Sequence, residues 1–170
     1  GLDGMTEAET CAVLGRVFAE DLAGSPLLTN NFVRWLNFPL IRNHRWVAGN
    51  AVLLGDALHT AHFSIGSGTK LALEDAMALF DGLRAEREMS GGLERFERQR
   101  RPVVESLQDA AQSSLEWYEN FADRMHLAPI ELAYELMTRS GRLDKERLRK
   151  RDPAFVAEFE QWRVEKAHAN

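Results

Sequence analysis

Apolar residues recur at spacings of three and four along most of this chain, and stretches of strand-like character are few and short. Leu71, Ala72, Leu73, Ala76, Met77, Leu79, Phe80 and Leu83 leave only a narrow polar face, which predicts a largely buried helix from Gly68 or Thr69 to about Leu83. Val104, Leu107, Ala111, Ser114, Tyr118, Phe121 and Met125 form one apolar seam, predicting a helix from about Leu93 to Met125 that packs within the same molecule. Pro102 should bend or split it, and Ser90-Gly91-Gly92 reads as a flexible link before it. Thr6 to Glu9 is a capping box that opens a helix to about Leu22, ended near Gly24 and Pro26. Pro129 opens a helix to about Arg139, and Asp152-Pro153 starts a last one ending near Glu165. Strand signals are confined to Phe32 to Phe38, a short stretch from Pro39 to about Trp46, and Ala51 to Leu54 after the turn Ala48-Gly49-Asn50. The last of these, wholly apolar, predicts a strand buried on both faces. The class is therefore α+β and predominantly helical.

Composition narrows the function classes. The chain has 170 residues, 45% apolar and 28% charged, enough for one domain with a real core. A net charge of −5 gives no reason to expect nucleic acid or an anionic membrane as partner. No apolar run reaches membrane-spanning length, and no signal-peptide pattern opens the sequence. Cys11 is the only cysteine, which excludes an internal disulfide or a cysteine metal cluster and makes a reducing, cytoplasmic setting the default. Gly1-Leu2-Asp3-Gly4 is unlike a natural start, so a piece of a longer protein is expected.

The chemistry concentrates between Ala51 and Ala76. Asp56 follows the apolar strand, where its carboxylate can accept hydrogen bonds from a sugar or ribityl hydroxyl. Taken alone, Gly55-Asp56 is more simply a turn whose Asp caps its own backbone. Gly66-Ser67-Gly68 then precedes a helix, so backbone N–H groups and the helix dipole face whatever sits there and favour negative charge. A lone Gly-x-Gly is a weak signal; linked to Asp56 at this spacing it is a stronger one.

These residues carry a resemblance. Gly55-Asp56-Ala57-Leu58-His59, Gly66-Ser67-Gly68 and Glu74-Asp75-Ala76 resemble the second flavin-contacting motif of the para-hydroxybenzoate hydroxylase-like FAD-dependent aromatic monooxygenases. The likeness extends upstream through Arg45-Trp46 and Gly49 to Leu54, and downstream to Arg98 and Arg100-Arg101-Pro102, about two-thirds of the chain in all. Phe63 stands where the family commonly has Pro, and Lys70 where it has Asn. His62 to Thr69, with Glu116-Trp117-Tyr118-Glu119-Asn120-Phe121, looks more like the branch that hydroxylates aryl-CoA thioesters such as salicylyl-CoA and 2-aminobenzoyl-CoA at C5.

The resemblance implies FAD as cofactor, reduced by NADH or NADPH, and oxygen delivered to the ring through a C4a-hydroperoxyflavin. It implies that Gly55 and Asp56 hold the ribityl chain and that Gly66, Ser67, Gly68 and Thr69 face the flavin pyrimidine edge, where the helix dipole stabilises negative charge on the reduced ring. His62, Phe63 and Ser64, lying between those contacts, would line the substrate side, the alternative for His62 and Phe63 being simple loop packing. A Gly-x-Gly-x-x-Gly after a strand, with which the family binds the ADP half of FAD, occurs nowhere in this sequence. The chain is thus expected to be the C-terminal part of such a fold, completed by an N-terminal FAD-binding part of the same enzyme. A division follows into residues 1–50 (tail of the substrate domain), 51–90 (FAD-contacting strand, loop and helix) and 91–170 (C-terminal helical region). In the aryl-CoA branch a reductase half can follow, and Asn170 would fall near that junction.

Competing readings are blander. His59 is expected to be structural, bonded to a nearby backbone group, and no metal-ligand spacing accompanies it. No catalytic acid or base is assigned, since a ring already carrying a hydroxyl or amine needs none. His62 with Ser64 lacks an elbow motif and an orienting acid. Arg95, Arg98, Arg100 and Arg101 read as a solvated helix face rather than a site for CoA phosphates, and Lys145 to Arg151 as solvated surface. Trp35, Trp46, Trp117 and Trp162 read as core or edge packing. The rival from another class is a non-catalytic helical interaction domain using the Val104 to Met125 seam. Within the enzyme class the rival is an aromatic hydroxylase acting on free, non-CoA substrates.

Overall fold

A computed structural model describes residues 2–27 and 35–169, which divide into two compact units, Gly1–Pro39 and Leu40–Asn170. In the first unit a 3-10 turn, Leu2–Gly4, precedes helix α1 (Glu7–Val17). The capping box is complete: Glu9 N donates to Thr6 Oγ1, and Thr6 N donates to Glu9 Oε2 at 2.8 Å. The expected single helix to Leu22 is broken at Phe18 (φ −102°, ψ 24°), and a short α2 (Ala19–Leu22) follows. The expected strand at Phe32 to Phe38 falls at 32–34 outside the described residues, and residues 35–38 form no strand. Trp35 instead donates from Nε1 to Thr10 Oγ1 at 3.2 Å.

The second unit opens on a small hairpin, β1 (Val47–Ala48) and β2 (Ala51–Val52), antiparallel with Val47 opposite Val52. Gly49 occupies the first turn position with φ 60°, a conformation that suits glycine. Two strand expectations need correction. Residues 40–46 form no strand; Arg42 and His59 meet in a single isolated bridge. The stretch from Ala51 is not buried on both faces: Val47 and Val52 turn toward the core, while Ala48 and Ala51 are exposed. A two-residue ladder with one partner presents alternate residues to opposite sides, so only one face is covered.

Helices α3 (Gly68–Ala85) and α4 (Met89–Glu119) build the core. Trp46, Leu58, Leu71, Phe96, Val104 and Leu107 form its buried cluster. Ser90-Gly91-Gly92 is not a flexible link but the first turn of α4. Gly92 is there because the helices cross at it: a Cβ on Gly82 would lie 2.6 Å from the Gly92 carbonyl oxygen. Pro102 lies inside α4 without splitting it. The seam holds from Val104 to Ser114, all buried, but Tyr118 and Met125 are exposed and Trp117 takes over the buried side. The helix also ends earlier than expected, at Glu119, before a 3-10 turn at Phe121–Arg124.

α3 differs most from expectation. Leu71, Asp75 and Gly82 are buried, yet Leu73, Met77 and Phe80 are 63%, 66% and 58% exposed. One face packs on α4 and on the Gly55 turn; the opposite face is apolar and open.

Helix α5 (Pro129–Thr138) begins at Pro129 as expected. The Lys145–Arg151 stretch is a short helix, α6, anchored by buried Leu148. α7 (Pro153–Ala169) follows Asp152, whose Oδ1 accepts from Phe155 N at 3.0 Å. The Tyr134 and Phe159 rings stack at 4.0 Å, joining α5 to α7. Of the four tryptophans, Trp46 and Trp117 are core, Trp162 stacks on Phe159, and Trp35 is half exposed. The chain is α+β and predominantly helical, with two short strands among the described residues.

Candidate functional site

Gly55, at φ 57°, turns the chain from extended Leu54 into a 3-10 turn, Gly55–Ala57. Its carbonyl accepts from both Leu58 N and His59 N at 2.9 Å. Asn43 clamps the turn from outside, donating Nδ2 to the carbonyls of Ala57 (3.0 Å) and Leu58 (2.6 Å). A Cβ on Gly55 would stand 3.4 Å from Ala72 Cβ, so the turn sits directly on α3. Asp56 is exposed, and no hydrogen bond or ion pair engages its carboxylate among the described residues. It does not cap its own backbone, which disposes of the simple turn explanation.

The segment beyond is tied down along its length. Ile41 N donates to Thr60 Oγ1 at 2.8 Å, and Thr60 N donates to the Ile41 carbonyl at 3.1 Å. Gln108, buried on α4, donates its amide to the carbonyls of both Ile41 and Thr60. A second 3-10 turn covers Phe63–Ile65, with Ser64 N donating to His62 Nδ1 at 3.3 Å. The His62 and Phe63 rings lie 4.3 Å apart; His62 is half-buried and Phe63 exposed. Gly66 (φ 59°) ends the turn. Ser67 donates its hydroxyl to the Ile65 carbonyl and therefore does not cap α3. The N–H groups of Gly68, Thr69 and Lys70 begin α3 with no side-chain acceptor, so the positive end of the helix is unmasked.

Behind this surface lies a buried charged cluster. His59 Nε2 is 2.6 Å from Asp75 Oδ2, and Arg100 Nε donates to Asp75 Oδ1 at 2.9 Å. Asp75 is 0% and Arg100 7% exposed. Arg100 also pairs with Glu74 at 3.2 Å. Burial raises the Asp75 pKa, but the hydrogen bonds and charges of His59 and Arg100 outweigh it and hold the carboxyl below its ordinary value. Two expectations are corrected here. His59 bonds a carboxylate sixteen residues away rather than a backbone group, and Arg100 belongs to the core rather than to a solvated face. Arg101 bonds the His44 carbonyl at 3.0 Å and stacks its guanidinium 4.9 Å above the Trp46 ring. The cluster thus ties His59, at the end of the Gly-Asp segment, to Glu74-Asp75 and to α4 through side chains too far apart in sequence to have been paired by spacing.

The residues present fit the flavin half that the resemblance implies. An unengaged carboxylate at Asp56 suits hydroxyl donors, and an uncapped helix start suits an electron-rich ring edge. Ser64 Oγ, on the segment between them, is buried with no partner among the described residues. No group of three or more metal-type ligands occurs among the described residues. Asn43, Gln108 and Arg139, whose Nη2 donates to the Ser64 carbonyl at 3.0 Å, join the site without having been singled out in the sequence. Gln108, beside Leu107 and Ala110-Ala111 on the apolar seam, carries a sequence signal that could have found it; Asn43, between Arg42 and His44, and Arg139 offer none.

Comparison with known proteins agrees with this geometry. Residues 33–111 match a family model described as an FAD binding domain. The chain is 43% identical over 162 residues to a salicyloyl-CoA 5-hydroxylase of Streptomyces sp, covering 94% of this chain and 31% of that protein. It is 47% identical over 133 residues to the 3-hydroxy-4-methyl-anthranilyl-[aryl-carrier protein] 5-monooxygenase of Streptosporangium sibiricum, covering 78% of this chain and 36% of the relative. A protodeoxyviolaceinate monooxygenase of Chromobacterium violaceum is 36% identical over 127 residues, 75% of this chain and 34% of the relative. The chain spans about a third of the length of these relatives.

Proposed function

Starting from the match of residues 33–111 to an FAD binding domain, we propose that this chain is the part of an FAD-dependent aromatic monooxygenase that holds the ribityl and pyrimidine portions of the flavin. The substrate is an aryl thioester, 2-aminobenzoyl-CoA or salicylyl-CoA, hydroxylated at C5; relatives named for an aryl-CoA and an aryl-carrier-protein substrate support that class. Bound flavin supplies oxygen activation, with NADH or NADPH as reductant, in a cytoplasmic setting and a role in aromatic catabolism.

The chain's own residues do the positioning. Asp56 accepts from ribityl hydroxyls; Gly55 lets the turn approach α3; Gly66, Ser67, Gly68 and Thr69 present the backbone to the ring. His62, Phe63 and Ser64 line the substrate side. Residues 1–50 serve the substrate wall, 51–90 the flavin, and 91–170 the helical support. The exposed face of α3 docks the remainder of the FAD-binding domain, which carries the dinucleotide half.

The observation that carries this reading is the exposed Asp56 carboxylate, free of partners among the described residues, on a turn that Asn43 and Ala72 hold in place. The test is Asp56→Ala in the protein that carries this chain, read by flavin absorbance after purification and by NAD(P)H consumption with 2-aminobenzoyl-CoA and with the free acid. A yellow wild type that hydroxylates the thioester, beside a variant that loses flavin, is the expected result. A colourless wild type that gains no flavin from added FAD overturns it and favours a helical interaction domain. Turnover of the free acid alone redirects the substrate class.

A further inference from the structure

Arg139 lies just after α5, outside the residues matched to the FAD binding domain. Its guanidinium donates Nε to Ser114 Oγ at 2.9 Å, Nη1 to the Leu136 carbonyl and Nη2 to the Ser64 carbonyl at 3.0 Å. Its Cζ stands 5.3 Å from the centroid of the Tyr118 ring. Ser114 is 0% exposed, so the far end of this bridge is fixed in the packed face of α4. No carboxylate pairs with Arg139 among the described residues; all three of its acceptors are neutral. A guanidinium used in this way acts through direction, since its planar fork sets three acceptors at fixed angles and one rotation breaks them together. Ser64 is the middle residue of the Phe63–Ile65 turn, and the turn's own closing bond, from Gly66 N, uses the Phe63 carbonyl and leaves that of Ser64 to Arg139.

We infer that Arg139 is a positioning residue that holds the His62 to Gly66 turn in place on α4, so that the C-terminal helices set the substrate side of the flavin site. This rests on the proposed flavin site only for its effect on catalysis; the anchoring stands on the hydrogen bonds alone. Mobility of this turn would shift His62, Phe63 and Ser64 against the substrate while Asp56, held independently by Asn43, kept its place.

The test compares Arg139→Met, Arg139→Lys and Ser114→Ala in the flavin-loaded protein that carries this chain. Amide hydrogen exchange over residues 62–67 reads the anchor. The thioester KM against kcat, and hydrogen peroxide formed per NAD(P)H consumed, read its consequence. In Arg139→Met, exchange accelerates over 62–67 and not through α3, flavin content stays at the wild-type level, and KM rises about tenfold or more, the factor expected for losing a hydrogen bond to a charged group. More oxygen then leaves as peroxide. Arg139→Lys, which keeps a donor and the charge, recovers part of both effects. Unchanged exchange at 62–67, or acceleration spread equally over α4 and α5, overturns the inference. If Arg139→Met does not fold, Ser114→Ala must show the same exchange signature to a smaller degree, and its absence overturns the inference equally. A wild type that binds no flavin overturns the proposed function instead, and the exchange comparison still decides the anchor.

Discussion

His59 Nε2 and Asp75 Oδ2 stand 2.6 Å apart in the interior, and through that contact the residue closing the Asp56 turn is bound to the middle of α3. Arg100 of α4 completes the cluster on the other carboxylate oxygen. With His59 and Arg100 both on Asp75, the turn, the middle of α3 and the long supporting helix share one fixed point.

Removing the Asp75 charge alone leaves Arg100 buried against only a half-exposed Glu74. Breaking one partner out of a buried charged cluster costs about 3–5 kcal/mol. Asp75→Asn should therefore lower the urea midpoint strongly without changing the slope, whereas Asp56→Ala, at an exposed unpaired carboxylate, should shift stability by no more than about 0.5 kcal/mol. Equal midpoints for Asp75→Asn and wild type would remove the cluster from any role in stability.

The same cluster sets an acid limb. The folded Asp75 pKa is lowered, so the unfolded chain, with an ordinary value of about 3.9, binds the proton first as pH falls. The stabilisation is complete above about pH 4 and is lost as pH drops from there through the folded value. The difference in unfolding free energy between wild type and Asp75→Asn should therefore shrink across that window. A difference that stays constant down to about pH 2 contradicts the lowered value.

What was legible in the sequence was what neighbouring residues decide. Thr6 with Glu9, Pro129 and Asp152-Pro153 marked helix starts correctly because capping is satisfied within a turn. The Gly55-Asp56 turn and the Gly66 entry to α3 were legible for the same reason. The rest depended on partners far along the chain. His59 and Arg100 reach Asp75 across 16 and 25 residues, and nothing in either residue's surroundings names the other. Gly91-Gly92 carries the composition of a linker, yet the α3 crossing needs a glycine at Gly92 inside a helix. The Leu73, Met77 and Phe80 pattern reported apolarity but not which side is covered.

The crossing itself is testable. Ala is favoured over Gly inside a helix by about 1 kcal/mol, so an alanine should stabilise wherever there is room. At Gly91 a Cβ would meet only the flexible Glu86 side chain at 3.5 Å, and Gly91→Ala should be neutral or stabilising. At Gly82 it would meet the Gly92 carbonyl oxygen at 2.6 Å, a backbone atom that yields only if the helices separate. Gly82→Ala should destabilise by about 1–3 kcal/mol despite its better propensity, as overpacked cores do. Thermal unfolding of the two variants side by side decides it, and a stabilised Gly82→Ala would show that the crossing is looser than described.

The open face of α3 yields the last prediction. Leu73, Met77 and Phe80 follow one another at four and three residues, so they share a face, and that face is opposite to the one that buries Leu71 and Asp75. Solvent covering three large apolar side chains in a row is unfavourable, while within this chain their replacement removes little buried area. Met77→Gln with Phe80→Gln should accordingly leave the unfolding midpoint of the 170-residue chain within about 0.5 kcal/mol of the wild type and reduce its self-association at high concentration. If the face docks the remainder of the FAD-binding domain, the same pair in the protein that carries this chain should cost stability of the order of burying two such side chains, about 3–6 kcal/mol, and flavin with it. Unfolding and flavin absorbance measured on both proteins separate the cases: a variant neutral in the chain and damaging in the larger protein identifies a docking face, and one neutral in both identifies an ordinary exposed surface.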